Sequence, residues 1–264
     1  MNNTDEFIIE DGVLVKYNGD GGDVIIPEGV TNIRHLAFRG CNSLRSVIIP
    51  DGVTSIGIKA FEECSNLTSI NIPKSVTYIG VDAFAGCEGL KDEDGFIIVD
   101  ENLCGYCGRG GTVTIPYGVT TISGGAFRKC KSLTSISIPN SVTIIDDEVF
   151  YECSNLTSIT IPDKVTAIGF AAFGKCSRLT SIIIPDGVTH IEACTFEECS
   201  NLTSITIPNS VTTIGSYAFG GCSSLTDITI PDSVKTMNDD VFIDCSSLKS
   251  VTIPDGVTYI DGNL

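Results

Sequence analysis

A 23-residue repeat is the feature of this sequence that most restricts its fold. All ten prolines follow it: they lie 23 residues apart from Pro27 to Pro254, except for one step of 43 residues between Pro73 and Pro116. Nine of the twelve cysteines keep the same period, and each of them has a Phe three residues before it and a Leu three residues after it. A period of this length is typical of a solenoid, in which each repeat forms one coil.

The repeat unit reads LTSIxIPxxVTxIGxxAFxxCSN, and each part of it predicts a local structure. Leu67, Ile70 and Ile72 give the L-x-x-I-x-I pattern of a short strand, with both isoleucines pointing inward. Pro73 follows where the strand no longer needs an amide donor, and the V-T-x-I segment adds two more inward apolar residues. In A-F-x-x-C, the Phe and Cys are three residues apart and share one face of a predicted short helical turn.

A single coil buries too little apolar surface to offset the conformational entropy lost when its 23 residues become ordered. Neighbouring coils must therefore cover each other, so that equivalent side chains form continuous rows in the core. We predict a mainly β fold with short helical turns: a solenoid of 23-residue coils with parallel strands on one face.

The interruption of the repeat is a second copy of its opening, because residues 7–30 align without gaps to residues 96–119. Apolar runs on both sides of Asp11-Gly12 predict a β-hairpin in this segment. We predict one solenoid over residues 1–264, with a capping hairpin at 1–23, a first block of coils at 24–93, a second hairpin at 94–111 and a second block at 112–264. The last coil stops at Leu264 without its A-F-x-x-C turn, so we expect the C-terminal cap to be missing. The open end could stay uncapped, pair with a partner, which would allow self-association, or continue in a longer protein.

The segment LTSITIPDKVTAIGFAAFGKCSRL, residues 156–179, resembles the BspA-like, or Treponema pallidum type, leucine-rich repeat. The resemblance covers nearly the whole chain and implies a right-handed leucine-rich-repeat solenoid. Members of this family are often secreted or surface-displayed modules for adhesion and protein binding, so the resemblance also implies a cell-surface or secreted location. The first ten residues contain no secretory signal, which leaves a cytoplasmic location as the alternative.

The acidic balance of the chain argues against two classes of partner. Asp and Glu outnumber Lys and Arg by 33 to 16, and this charge repels phosphate backbones and anionic lipids. The apolar runs are also far shorter than the roughly 18 to 20 residues that span a bilayer. We therefore expect neither nucleic-acid binding nor membrane insertion.

Cys104 and Cys107 have the spacing of a thioredoxin-like redox pair or of half a zinc site. The aligned first copy has Val15 and Asn18 at these positions, so the pair belongs to a hairpin and not to the helix N-terminus that lowers thiol pKa in redox enzymes. No second Cys pair or nearby His pair completes a metal site. Incidental hairpin cysteines and a local disulfide both remain open, whereas the nine repeat cysteines should pack as a reduced ladder.

Three other motifs are better explained by structure than by chemistry. The glycines of residues 19–22 precede a strand and not a helix, which indicates a turn and not a phosphate-binding loop. His35 and His190 belong to different coils and cannot share a metal. The acidic run 146–148 has no acidic counterpart one coil later, so a solvated turn is favoured over a calcium site. We therefore predict that the chain is not an enzyme and has no catalytic site, metal or cofactor.

The strand residues between the buried positions should point outward and form two hydroxyl-rich, nearly uncharged columns. Such residues suit any exposed strand, but they also offer a shallow platform on which Ile48 and Ile183 are isolated apolar points. The candidate binding face comprises Ser46, Ile48, Ser69, Asn71, Ser135, Ser158, Thr160, Ser181, Ile183, Ser204, Thr206, Asp227, Thr229, Ser250 and Thr252.

These observations favour a non-enzymatic module that binds a protein or glycan partner through this face. Two alternatives stay open. The chain could be an architectural spacer in a larger surface protein, or a thiol-disulfide oxidoreductase that uses Cys104 and Cys107.

Overall fold

The structure of the protein is a computed structural model that describes residues 6–257 and the backbone of residues 259 and 260. It consists of two compact units, residues 1–108 and residues 109–264. The boundary between the units falls inside the segment 94–111 that the sequence assigns to the second hairpin. The end of the last coil, residues 261–264, lies outside the described residues, so the expected absence of a C-terminal cap is not addressed by the structure.

Short strands make up most of the regular structure in both units. The first unit contains β1 (Phe7–Glu10), β2 (Val13–Tyr17), β3 (Gly22–Ile25), β4 (Asn32–Ile33), β5 (Leu44–Ile48), β6 (Ser55–Ile56), β7 (Ser69–Asn71), β8 (Tyr78–Ile79), a 3-10 helix (Glu88–Leu90), β9 (Phe96–Val99) and β10 (Asn102–Tyr106). The second unit contains β11 (Gly111–Thr114), β12 (Thr121–Ile122), β13 (Leu133–Ser137), β14 (Ile144–Ile145), β15 (Ser158–Thr160), β16 (Ala167–Ile168), β17 (Ser181–Ile183), β18 (His190–Ile191), β19 (Ser204–Thr206), β20 (Thr213–Ile214), β21 (Asp227–Thr229), β22 (Thr236–Met237), β23 (Ser250–Thr252) and β24 (Tyr259–Ile260).

The coils stack in parallel, which confirms the predicted solenoid of 23-residue repeats. The strand before each proline forms one ladder, as in β3-β5-β7 of the first unit and β11-β13-β15 of the second. Equivalent residues face each other, so that Ile136 pairs with Ile159 and Val47 pairs with Ile70. The V-T-x-I segment forms a second parallel ladder, β4-β6-β8 in the first unit and β18-β20-β22-β24 in the second. The solenoid therefore has a second strand ladder in addition to the predicted one.

The A-F-x-x-C segment forms a run of tight turns where the sequence suggests a short helix. Its amides alternate between two kinds of acceptor: Arg39 N–H donates to Leu36 O of the same coil at 3.1 Å, whereas Phe38 N–H donates to Ala60 O of the next coil at 2.7 Å. The backbone stays non-helical because φ is positive two residues before the Phe and again two residues after it, as at Leu36 and Gly40. Half of the amides thereby become available to the neighbouring coil.

Phenylalanine rings form the centre of the core in each unit. In the second unit the rings of consecutive coils from Phe127 to Phe242 stack with centroids 5.4–5.7 Å apart and nearly parallel planes. In the first unit Phe38, Phe61 and Phe84 stack in the same way, at 4.8 and 5.4 Å. Stacked rings at this separation bury large apolar areas and favour an exact register between coils.

The repeat cysteines lie beside this aromatic row, and seven of the nine use their thiols as hydrogen-bond donors to a Phe carbonyl. Cys64 Sγ lies 3.1 Å from Phe38 O, and Cys176 Sγ lies 3.2 Å from Phe150 O. Each of these carbonyls also accepts the N–H of the Cys in its own coil, at 3.1 and 3.0 Å respectively. A thiol suits this position because it is largely apolar and still supplies a weak donor to a buried oxygen.

Both hairpins suggested by the duplicated segment are present. β1 pairs antiparallel with β2, and β9 pairs antiparallel with β10. The first hairpin turns at Asp11 and Gly12, both with positive φ. Its strand β2 also continues the second ladder by parallel pairing with β4, and Tyr17 stacks on Phe38 at 5.0 Å. The hairpin therefore covers the aromatic row at the start of the first unit.

We expect Phe150→Ala to destabilise the second unit by about 3–5 kcal/mol, because the substitution leaves a cavity in a continuous aromatic row. Phe150 is fully buried between Phe127 and Phe173. Phe170→Ala is the matched control: Phe170 is 44% exposed and its truncation should cost less than about 1 kcal/mol. Urea unfolding followed by far-ultraviolet circular dichroism measures both losses, and equal losses would contradict the assigned core.

We expect Gly57→Ala to destabilise the first unit by about 1–3 kcal/mol through overpacking between coils. A Cβ at Gly57 would lie 2.4 Å from His35 N, so two stacked coils would have to separate. Gly52 belongs to the same coil, but a Cβ there would meet only Val30 O, at 3.4 Å, so Gly52→Ala should be tolerated. Thermal unfolding of the two variants tests this; a Gly57→Ala variant as stable as Gly52→Ala would show that the coils are less closely stacked.

Candidate functional site

The candidate binding face consists of the outward side chains of the first ladder, the ladder that precedes the prolines. In each unit these strands alternate between inward and outward residues, so Ile159 and Ile182 are buried whereas Ser158 and Ile183 are exposed. Thirteen of the fifteen predicted residues are exposed; Ser46 and Ser135 are partly buried. Equivalent outward residues pair in register, as Ser181 does with Ser204. Each unit therefore presents rows of outward side chains at the spacing of one coil.

The face of the second unit is polar and nearly uncharged. Asp227 is the one charged residue that the sequence places in its two columns, and its carboxylate accepts a hydrogen bond from Thr226 Oγ1 at 2.9 Å. Ile183 is 71% exposed and has Ser181 beside it on the same strand. Thr206 of the next coil pairs with Ile183. An exposed apolar side chain thus lies among hydroxyl groups.

In the first unit, two predicted face residues have structural roles. Ser46 Oγ donates to Asp23 Oδ1 at 2.8 Å. Asn71 Oδ1 accepts from Ile49 N–H at 2.8 Å, and Asn71 Nδ2 donates to Ile49 O at 3.1 Å. The Asn71 amide therefore satisfies the backbone N–H and C=O of Ile49, directly after the end of β5.

Sequence reasoning missed the strands that begin the ladders. Asp23 and Ile25 of β3 pair with Ser46 and Ile48, so they belong to the same columns, and Ile25 is 61% exposed. In the second unit, Thr112 and Thr114 of β11 extend the columns in the same way. The signal was present in the sequence, since Ile25 precedes Pro27 by two residues just as Ile48 precedes Pro50.

Several charged side chains on the A-F-x-x-C side of the coils form ion pairs between neighbouring coils. Arg39 Nε lies 2.6 Å from Glu62 Oε2 in the first unit, and Arg128 Nε lies 2.6 Å from Glu148 Oε2 in the second. A shallow groove of about 330 Å³ runs along this side of the second unit and is lined by Lys131, Glu152, Ser154, Lys175, Ser177, Glu198, Ser200 and Gly221. Because the groove is lined by both Lys and Glu side chains, this side differs in charge from the nearly uncharged ladder face.

Cys104 and Cys107 lie at the second hairpin, as the duplication predicts. Cys104 is buried on β10, and Cys107 follows the end of that strand. Burial, together with the nearby Glu88 carboxylate, raises the pKa of the Cys107 thiol to about 11. A redox-active cysteine needs the opposite shift, because the thiolate is the reactive species. Cys104, the attacking thiol of such a pair, is buried, and this burial together with the raised pKa of Cys107 argues against the thiol-disulfide hypothesis.

The first two residues of the acidic run 146–148 accept hydrogen bonds from backbone amides of the turns. Asp146 Oδ1 accepts from Asp147 N–H at 2.9 Å, and Asp147 Oδ1 accepts from Phe170 N–H at 2.8 Å. Burial raises the pKa of the Asp146 carboxyl group. Among the described residues, no group of three His, Cys, Asp or Glu side chains is placed to hold a metal ion.

A family model for the BspA type leucine-rich repeat region, with six copies, matches residues 17–94, 97–192 and 167–264. The chain belongs to the BspA-type leucine-rich-repeat family. The solved structures that resemble this BspA-type chain include a leucine-rich repeat protein from Eubacterium ventriosum, with 21% identity, a TM-score of 0.59 and coverage of 96% of this chain and 89% of that one. This likeness supports the fold.

Two further solved structures resemble the BspA-type chain. A leucine-rich cell surface protein from Faecalibacterium prausnitzii is 31% identical, with a TM-score of 0.39 and coverage of 96% of this chain and 87% of that one. The leucine-rich repeat protein of T. pallidum is 28% identical, with a TM-score of 0.38 and coverage of 81% and 82%. No curated protein matches the chain. In the portion that the structure describes, no helix has the length and apolar character needed to cross a membrane.

We expect Cys107 to react with iodoacetamide at pH 8 about 100-fold more slowly than in the urea-unfolded chain. A pKa near 11 in place of 9.0 reduces the thiolate fraction by about two powers of ten, and the rate should rise about tenfold per pH unit until about pH 11. Mass spectrometry of the peptide that contains Cys107 gives the rate in both states. Faster alkylation in the folded chain than in the unfolded chain would restore the redox hypothesis.

Proposed function

We propose that this BspA-type protein is a non-enzymatic binding module that holds a protein or glycan partner on its ladder face. The observation that carries the proposal is the face of the second unit, where exposed Ile183 stands among rows of Ser and Thr hydroxyl groups. Exposed apolar side chains surrounded by hydrogen-bonding groups are typical of recognition surfaces. Family membership supports the same function, since leucine-rich repeats generally mediate protein interactions.

The rigidity of the face also supports this function. β17 pairs with β19 and β21 pairs with β23, so the strands that carry the outward residues are fixed by backbone hydrogen bonds. Beneath them Ile182, Leu202 and Leu225 are buried. A surface fixed in this way loses little conformational entropy when a partner binds, which favours affinity even for small side chains.

We also propose that the protein acts at the cell surface or after secretion. The proposal rests on the BspA-type family, whose members are typically surface or secreted proteins, and on the similarity to the F. prausnitzii leucine-rich cell surface protein. A soluble extracellular form of the chain is therefore the relevant material for binding experiments.

We expect Ile183→Lys to weaken partner binding at least about tenfold, because the substitution places an unpaired charge at the centre of the contact. The test is a screen of the purified chain against arrays of extracellular proteins and of glycans, followed by titration of each hit with wild type and variant. Ile243→Lys is the matched control, since Ile243 is also exposed (38%) but belongs to the A-F-x-x-C side.

Two results would count against the binding module. Hits that Ile183→Lys and Ile243→Lys weaken equally would place the binding site elsewhere. An absence of hits on both arrays would favour the architectural spacer.

A further inference from the structure

Strand β3 is an edge strand. The first ladder of the first unit has the order β3-β5-β7, so β3 has a partner on one side among the described residues. Gly22 N–H donates to Ser43 O at 2.8 Å, and Ile26 N–H donates to Ile48 O at 3.0 Å, so the even-numbered amides point towards β5. Successive amides of a strand point to opposite sides, and the backbone groups of Asp23 and Ile25 therefore point away from the sheet.

The N-terminal hairpin does not cover this edge. β2 pairs with β4, so the hairpin extends the second ladder, and its Tyr17 ring stacks on Phe38 and also contacts the Phe7 ring. β3 belongs to the other ladder and follows the hairpin through the glycine-containing turn of residues 18–21. Within the described residues, the core of the first coil is thus covered whereas the edge of its principal strand is open.

The side chains at this edge form an apolar strip. Ile25 is 61% exposed and pairs in register with Ile48, which is 51% exposed, whereas Val24, which precedes Ile25, points into the core. Natural edge strands are often protected by a charge that projects over the edge. Asp23 does not act in this way, because its carboxylate is turned towards the neighbouring strand, 3.0 Å from Arg45 Nη2 and 2.8 Å from Ser46 Oγ.

The charges beside β3 define the chemistry of its partner. Asp20 precedes the strand and Glu28 follows it; both are exposed, and neither has an ion pair with another described residue. A segment added to the edge would pass between these two carboxylates. Lys or Arg residues flanking an apolar extended segment would complement them.

We propose that the open edge of β3 binds an extended, cationic segment of another protein by β-strand addition. The backbone groups of Asp23 and Ile25 supply the hydrogen bonds, the Ile25 and Ile48 side chains supply the apolar contact, and Asp20 and Glu28 select positive flanks. This inference rests on the proposed binding function but uses a different part of the molecule from the face around Ile183.

The probe is a fluorescein-labelled peptide of alternating Thr and Ile with two lysines at each end, titrated into the full chain by fluorescence anisotropy. We expect binding that weakens with salt, and at least about tenfold weaker binding of a peptide with glutamates at both ends. A peptide with a central proline should also bind at least about tenfold more weakly, because it cannot complete the backbone ladder.

The decisive variant is Ile25→Pro. It removes the one amide that points outward at this residue and leaves the amides of Gly22 and Ile26, which bond to the neighbouring coil, intact. We expect it to reduce binding of the lysine-flanked peptide at least about tenfold. If Ile25→Pro does not fold, Ile25→Lys keeps the backbone and should reduce binding through charge repulsion and loss of the apolar contact. Hydrogen exchange should show protection of the Ile25 amide when the peptide is bound to wild type.

Ile183→Lys is the control that separates this proposal from the ladder-face function, because it alters the second unit and should leave peptide binding unchanged. Undiminished peptide binding by Ile25→Pro would overturn the edge site, and so would the absence of binding to wild type. Sedimentation that reveals a dimer lost in Ile25→Pro would assign the edge to a second copy of the chain and would also overturn the proposal.

Discussion

The structure depends on backbone hydrogen bonding between one coil and the next. Along the A-F-x-x-C segment every second amide donates to the neighbouring coil, as Phe150 N–H does to Ala172 O and Glu152 N–H does to Gly174 O. A coil without its neighbours would lose these hydrogen bonds and expose its amides and its apolar side chains to water. The same requirement explains Gly57 and Gly215, where a Cβ would lie 2.4 Å from the backbone of the preceding coil. These close backbone contacts hold consecutive coils in a fixed register. Each coil must therefore have the same length, which is the 23-residue period of the sequence.

Much of the fold was predictable from the sequence because every coil carries the same residue pattern and therefore supports the same structural inference. The spacing of Pro, Phe, Cys and Leu indicates stacked coils, and the L-x-x-I-x-I pattern locates the first ladder and its buried residues. The A-F-x-x-C segment was not predictable from the spacing of Phe and Cys, since residues three apart share a face in a helix and also in a run of turns. What distinguishes the two is the positive φ of residues such as Lys59 and Glu63, and neither residue type signals that conformation.

The candidate site was predictable only in part, for a different physical reason. Alternation along a strand identifies which residues point outward, and this was sufficient for Ser158, Ile183 and Thr206. Alternation does not reveal whether an outward side chain is already hydrogen-bonded to another part of the chain. Asn71 bonds to the backbone of Ile49, and that contact depends on a polar side chain reaching a strand end in the preceding coil. Periodicity treats all coils as equal, so it cannot identify positions where one coil differs from the next.

Such differences are where specificity must reside in a repeat protein. A partner that contacted only the common Ser and Thr rows would bind equally well when shifted by one coil, because the surface would repeat under it. Ile183, with Ser and Thr at the neighbouring positions of its columns, and the Ile25 and Ile48 pair beside an open edge break this equivalence at two places. Among the described residues, the edge of β3 breaks it most completely, because its unpaired backbone groups occur at the end of a ladder and not within it. A single partner contacting that edge would bind in one register, whereas the interior of each ladder supplies a rigid support for that contact.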